Sequence, residues 1–204
     1  MKLKKWTYLT IFVMSIIILT GCAPAAVAPP APAPSALPSG SLIQSALDVV
    51  VILKNQDMTG LSTFVDPVKG IRFTPYAYID TATNLVFTSA QISTLLTDTN
   101  THLWGSYDGT GDPIQLTPQN YYDKFVYDVD FASPNLIGNN VIIGTGNTTN
   151  NMVQAYPGAS YVEFHFTGFD PQYAGMDWKS LRLVFEKTGG IWYLVGIVHD
   201  QWTI

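Results

Sequence analysis

The sequence predicts an α+β domain in which N-terminal helices pack on a curved antiparallel sheet formed by the end of the chain. Three observations carry that expectation. Behind Ser41, the residues Leu42, Ile43, Ala46, Leu47, Val49, Val50 and Leu53 recur at the spacing of an amphipathic helix. The runs SYVEFHF (160–166), SLRLVFEK (180–187) and IWYLVGIVH (191–199) are strand-like. Thr188-Gly189-Gly190 between the last two has the residues of a hairpin turn.

Each element has its own signal. Ser41 and Gln44 form a capping-box pattern at the start of a helix of about four turns. KNQDM ends that helix, and Leu61, Phe64 and Val65 predict one more helical turn before Pro67. GIRFTPYAY (70–78) reads as extended, with Pro75 demanding an edge or a bulge. Thr88 and Gln91 are a second capping box, opening a short helix with Ile92, Leu95 and Leu96. Thr117 and Pro118 supply a cap and a first-turn proline to a third helix, whose stripe is Tyr121, Tyr122, Phe125 and Val126. In the last strand Trp192, Leu194 and Val198 are expected on one face, and Ile191, Tyr193, Val195 and Ile197 on the other. Both faces therefore need cover, one from helices and the other from a pocket wall or a partner.

The beginning of the chain reads as an address. MKLKK precedes a short apolar run from Trp6 to Leu19, the layout of a secretory signal and too short for a comfortable membrane span. Leu19-Thr20-Gly21-Cys22 resembles the lipobox of bacterial lipoproteins. The resemblance implies cleavage after residue 21 and a diacylglycerol thioether on Cys22, for which only a thiol supplies the nucleophile. An uncleaved anchor with an incidental cysteine is the alternative. Residues 22–40 are a Pro/Ala-rich tether tending to extended polyproline II, with a proline-motif ligand as the lesser reading. Residues 41–204 form the single α+β domain. The expected location is the cell membrane, lipid-anchored on its extracytoplasmic face.

Composition narrows the partners. The chain carries a net charge of −5, and loss of residues 1–21 removes three of its ten basic residues and none of its 15 acidic ones, leaving −8. An acidic surface without basic runs argues against nucleic acid and against adsorption to anionic lipid. With Cys22 lipidated, no cysteine remains for disulfides or thiolate chemistry. No cofactor motif is present; GTGN (144–147) lacks the lysine of a phosphate loop and reads as a turn.

SALDVVVILKNQDMTGLSTFV followed by LRLVFEKTGGIWYLVGIVHD resembles the cone-shaped nuclear-transport-factor-2-like fold. GIRFTPYAYID, WGSYDGTGDPI, YYDKFVYDVDF, GFDPQYAGMDWKSLRLVFEK and WYLVGIVHDQWTI are similar to an uncharacterised lipoprotein family of Gram-positive bacteria. The second resemblance covers nearly all of 41–204 and implies an anchor, with no particular activity. The fold hosts enzymes, binding modules and dimerisation domains, so it does not choose among them.

Candidate chemistry is sparse. Tyr161, Glu163 and His165 share a strand face, and Arg182 on a neighbouring strand is placed to meet Glu163. On the concave side, Glu163, His165 and Arg182 would be an acid/base site; on a solvated face, a cross-strand ion pair. His199 and Asp200 point to opposite faces while the strand continues, so a dyad requires the strand to end at His199, and His199 is otherwise a structural or rim histidine. Asp108 and Asp112 in YDGTGDP suit a tight turn better than calcium. GFDPQYAGMDW offers Asp170, Tyr173, Asp177 and Trp178 as a ligand rim or an interface, joined by His199 and Trp202. The leading expectation is a non-catalytic module that binds a small molecule or a protein; the alternatives are an enzyme using Glu163 and His165, and a homodimeric structural domain.

Overall fold

In the computed structural model, which describes residues 40–203, helix α1 (Leu42–Lys54) starts where the Ser41 hydroxyl accepts the Gln44 N–H. The box is only half closed, because the Gln44 side chain donates instead to Asp48. Asp57 caps α2 (Met58–Phe64), longer by a turn than the sequence implies. Strands β1 (Ile71–Thr74) and β2 (Val86–Phe87) follow, then α3 (Ser89–Ile92) with both bonds of its capping box, and a 3-10 turn at Leu95–Thr97. A hairpin of β3 (His102–Ser106) and β4 (Pro113–Leu116) leads to α4 (Pro118–Phe125), begun by Thr117 and Pro118. β5 (Leu136–Asn139), α5 (Met152–Ala155), β6 (Ser160–Phe166), a 3-10 turn at Pro171–Tyr173, β7 (Lys179–Thr188) and β8 (Ile191–Gln201) complete the order.

The architecture is α+β. Six strands form one sheet in the order β2-β1-β8-β7-β6-β5, with β3-β4 as a separate hairpin. The sheet is mixed rather than wholly antiparallel, because β1 runs parallel to β8. Pro75 needs neither edge nor bulge: it lies just past β1, which is flanked on both sides. Helices α1, α2 and α4 bury their apolar stripes against one sheet face, where Leu53, Phe64, Phe73, Phe125, Phe164, Leu183 and Ile197 form the main core. The Tyr122 hydroxyl donates to the Leu53 carbonyl and fastens α4 to α1.

The second face is covered by the segment that follows β5. Ile142, Met152, Ala155 and Tyr156 pack there on Val184, Val195 and Val198. A bulge creates this arrangement. Phe185 pairs with Leu194 and Val184 with Gly196, so Val195 is the extra residue and the alternation of β8 shifts there. Trp192, Leu194 and Ile197 consequently belong to the helix side, and Val195 and Val198 to the other, a different partition from simple alternation. The expected signal segment, Cys22 and the tether up to residue 39 lie outside the described residues, in which no helix is long and apolar enough to cross a membrane.

Candidate functional site

Glu163 and Arg182 sit opposite each other in the β6–β7 ladder, as their strand positions imply. Their surroundings differ from both expectations. The pair lies on the face away from the helices, beneath the segment that follows β5, and each residue is 0% exposed, so it neither lines an open pocket nor meets solvent. Arg182 Nε is 3.1 Å from Glu163 Oε2, Nη1 donates to Asp200 Oδ2 at 2.8 Å, and Nη2 donates to the Gly144 carbonyl at 2.7 Å. Glu163 also accepts the backbone N–H groups of Ile143 and Gly144 at 2.9 and 2.8 Å, and the Ser180 hydroxyl at 2.6 Å. The network thus clamps the 141–148 strap onto the sheet.

Proton positions follow from the same contacts. The Ser180 hydroxyl gives its one hydrogen to Glu163, so the His165 Nδ1–H must donate to Ser180 Oγ at 2.8 Å. His165 therefore cannot take a proton from Ser180, which is the reverse of a nucleophilic triad. Burial holds His165 below its ordinary value, outweighing the pull of Glu163. Burial also raises Asp200 despite Arg182, while for Arg182 the two carboxylates overcome burial and raise it.

His199 and Asp200 do point to opposite faces, since β8 runs on to Gln201. On the helix side His199 meets Asp128, with Nε2 3.3 Å from Oδ1, within ion-pair range but too poorly aligned for a hydrogen bond. Its Nδ1 donates to the Pro75 carbonyl at 3.3 Å. Lys179 pairs with the other Asp128 oxygen. Burial pushes Asp128 up, but His199 and Lys179 outweigh it and hold the carboxyl below its ordinary value. Nothing in the spacing of YYDKFVYDVDF singles out Asp128, because its partners come from β7 and β8. His199 is a core residue, not a rim residue.

The 168–178 loop divides into two parts. Asp177 accepts the N–H groups of Phe169 and Asp170, and Asp170 caps the 3-10 turn through Gln172, so both acids hold the loop's own shape. Phe169, Tyr173 and Met176 are exposed. Trp178 is not part of the rim: it is buried under the strap, where a Cβ on Gly144 would lie 2.6 Å from its ring, and beside His165 at 5.8 Å. Gly146 lies between Trp178 and half-buried Trp202, so the two indoles are neighbours, as one patch would require, but only Trp202 meets solvent.

An open cleft of about 300 Å³ lies elsewhere, lined by Tyr76, Tyr78, Asp80, Asn84, Tyr107 and Asp108 together with Thr148 from the strap. Tyr76 and Tyr78 sit two apart in PYAYID, a spacing that marks a shared face and is the one signal by which the cleft could have been found. Asp108 Oδ2 accepts the hydroxyls of Thr148 and Thr203, closing the β3–β4 loop onto the strap. The Thr148 bond, then Thr203 and the Gly109 N–H, hold Asp108 below its ordinary value against burial. The Thr83 hydroxyl chiefly lowers Asp80. Lys124 already stacks on Tyr107, 4.5 Å from the ring centre. Asp112 joins this loop through its backbone, its carbonyl accepting the Tyr107 N–H at 2.8 Å, and no three potential ligands gather around a metal position among the described residues. None of the groups of the Glu163 network or the His199 pair lines the cleft.

No protein-family model and no curated protein matches the chain. A crystallised Xanthomonas campestris chain, described as a putative calcium/calmodulin dependent protein kinase II association domain, is similar at 11% identity and a TM-score of 0.32, over 80% of this chain and 94% of that one. Likeness of that degree carries no functional argument.

Proposed function

We propose that this chain is a lipoprotein held through Cys22 on the extracytoplasmic face of a membrane, and that its domain, of the nuclear-transport-factor-2-like cone class, binds a ligand or a protein without catalysing a reaction. Helices α1 and α2 ahead of the first strand, and the long β7–β8 hairpin at the end of the order, support the fold reading. The single observation that carries the non-catalytic reading is the occupancy of Glu163, His165 and Arg182 by structural bonds beneath the strap. A general acid or base must reach a substrate proton, whereas Glu163 and Arg182 are 0% exposed and His165 only 6% exposed. The tyrosine-lined cleft, with carboxylates and amide groups around an aromatic wall, is the place for a small ligand.

The test is native mass spectrometry of the full chain released from membranes in mild detergent. A bound mass that is lost on denaturation, and absent from a Tyr78→Ala, Tyr107→Ala double variant, is the expected result. An enzymatic turnover abolished by His165→Gln in a folded protein would overturn the reading.

A further inference from the structure

The basic residues of the described domain are matched almost one to one. Lys54 pairs with Asp130, Lys69 with Glu186, Lys179 with Asp128, and Arg182 with Glu163 and Asp200. Lys124 lies over Tyr107 and Lys187 over Trp192. Among the described residues Arg72 alone has neither a carboxylate at ion-pair distance nor an aromatic ring beneath it. Its Nη1 donates to the carbonyls of Thr81 and Asn84 at 3.2 and 2.9 Å, which fixes the guanidinium plane against the 80–84 turn. The Nε–Nη2 edge, the fork that receives a planar oxyanion through two parallel bonds, meets no carboxylate at ion-pair distance among the described residues; its polar neighbour is the Tyr156 hydroxyl.

Arg72 lines a cleft of about 360 Å³, separate from the tyrosine cleft and bounded also by Lys69, Val86, Tyr156, Glu186 and Val195. Glu186 neutralises Lys69, so the three charged side chains sum to a single positive charge within an acidic domain. A dianion would be opposed by Glu186; a monoanion is matched. The Tyr156 hydroxyl lies beside the guanidinium and donates to the Val195 carbonyl at 3.4 Å. Burial pushes that phenol up to about 12 in spite of Arg72, so it remains a neutral hydrogen-bonding group. Val86 and Val195 add apolar surface beside the charged end.

We infer that this cleft is a binding site for a small organic monocarboxylate, whose carboxylate docks on the Nε–Nη2 edge of Arg72 and whose apolar body lies along Val86 and Val195. The site shares no lining residue with the tyrosine cleft, so it stands or falls independently of the ligand proposed there.

Calorimetric titration of the full chain in detergent with hexanoate, hexan-1-ol and inorganic phosphate tests it. Hexanoate is expected to bind with one-to-one stoichiometry at millimolar concentrations, hexan-1-ol not to bind, and Arg72→Gln to weaken hexanoate by about tenfold or more through loss of two charge-assisted bonds. Tyr78→Ala is expected to leave hexanoate binding unchanged. Should Arg72→Gln fail to fold, the salt response of the unmodified chain decides, because an exposed charge contact weakens as ionic strength rises tenfold. Equal binding of hexan-1-ol, tighter binding of phosphate, salt-insensitive binding, or no hexanoate binding would each overturn the assignment.

Discussion

At Glu163 the carboxylate has two duties, balancing Arg182 and receiving the strap's N–H groups. Glu163→Gln keeps the shape and removes the charge, leaving Arg182 with Asp200 alone. Breaking such a buried pair costs about 3–5 kcal/mol, so a fall of that order in unfolding free energy is expected in urea titration. A change under about 1 kcal/mol would refute the structural role, since exposed pairs contribute no more than that. Acidity supplies a second check. His165 is depressed when folded, so its contribution to stability is complete above the ordinary 6.5 and is lost as pH falls from there through its lower folded value. His165→Gln should flatten that limb of the stability curve while Asp128 maintains a further loss below its ordinary 3.8. The Glu163–Arg182 meeting was legible because period-two positions on adjoining strands face each other. Asp200 and the Gly144 carbonyl were not, because the pattern of one strand does not reveal which loop will lie across it.

Elements with one dominant local signal were readable: caps at Ser41, Thr88 and Thr117, and the three long strands. β3 and β5 were not. A positive-φ glycine at 105 and a register shift interrupt β3, while β5 is an edge strand of four residues with exposed Leu136 and Ile137. The strap was equally hidden, because GTGN reads locally as a turn and its glycines are required by contacts made across the sheet. A Cβ on Gly144 would lie 2.5 Å from Ser180 Oγ and 2.6 Å from Trp178. Gly144→Ala is therefore expected to lift the strap, at a cost of about 1–3 kcal/mol for overpacking. Because Thr148 travels with it, the Asp108 latch should loosen as well, detectable as faster amide hydrogen exchange at Gly109 and in 143–148. Unchanged exchange there would mean that the two ends of the strap are not mechanically connected.

For the molecule as a whole, the anchor and the domain make separate predictions. Cys22→Ala removes the proposed acyl attachment and should move the protein from the membrane to the soluble fraction, because the stability of anchoring scales with about 0.8 kcal/mol per buried methylene. Retention of the variant in the membrane fraction would overturn the proposed attachment through Cys22. Fold class was legible from element order alone, whereas the parallel pairing of β1 and β8 was not, since it joins segments more than a hundred residues apart. That pairing sets a timetable. β8 is the last strand of the described chain, yet it stands in the middle of the sheet, between β1 and β7. Until it is in place, β2-β1 and β7-β6-β5 are two fragments with no hydrogen bonds between them. Such distant closure is slow, and a ribosome-bound chain lacking β8 has no complete sheet to form. A polypeptide stopped after Gly190 should show no cooperative thermal transition. Every strand made before it is therefore left without its neighbour across the middle, and the sheet is sealed only when the last of the described strands arrives.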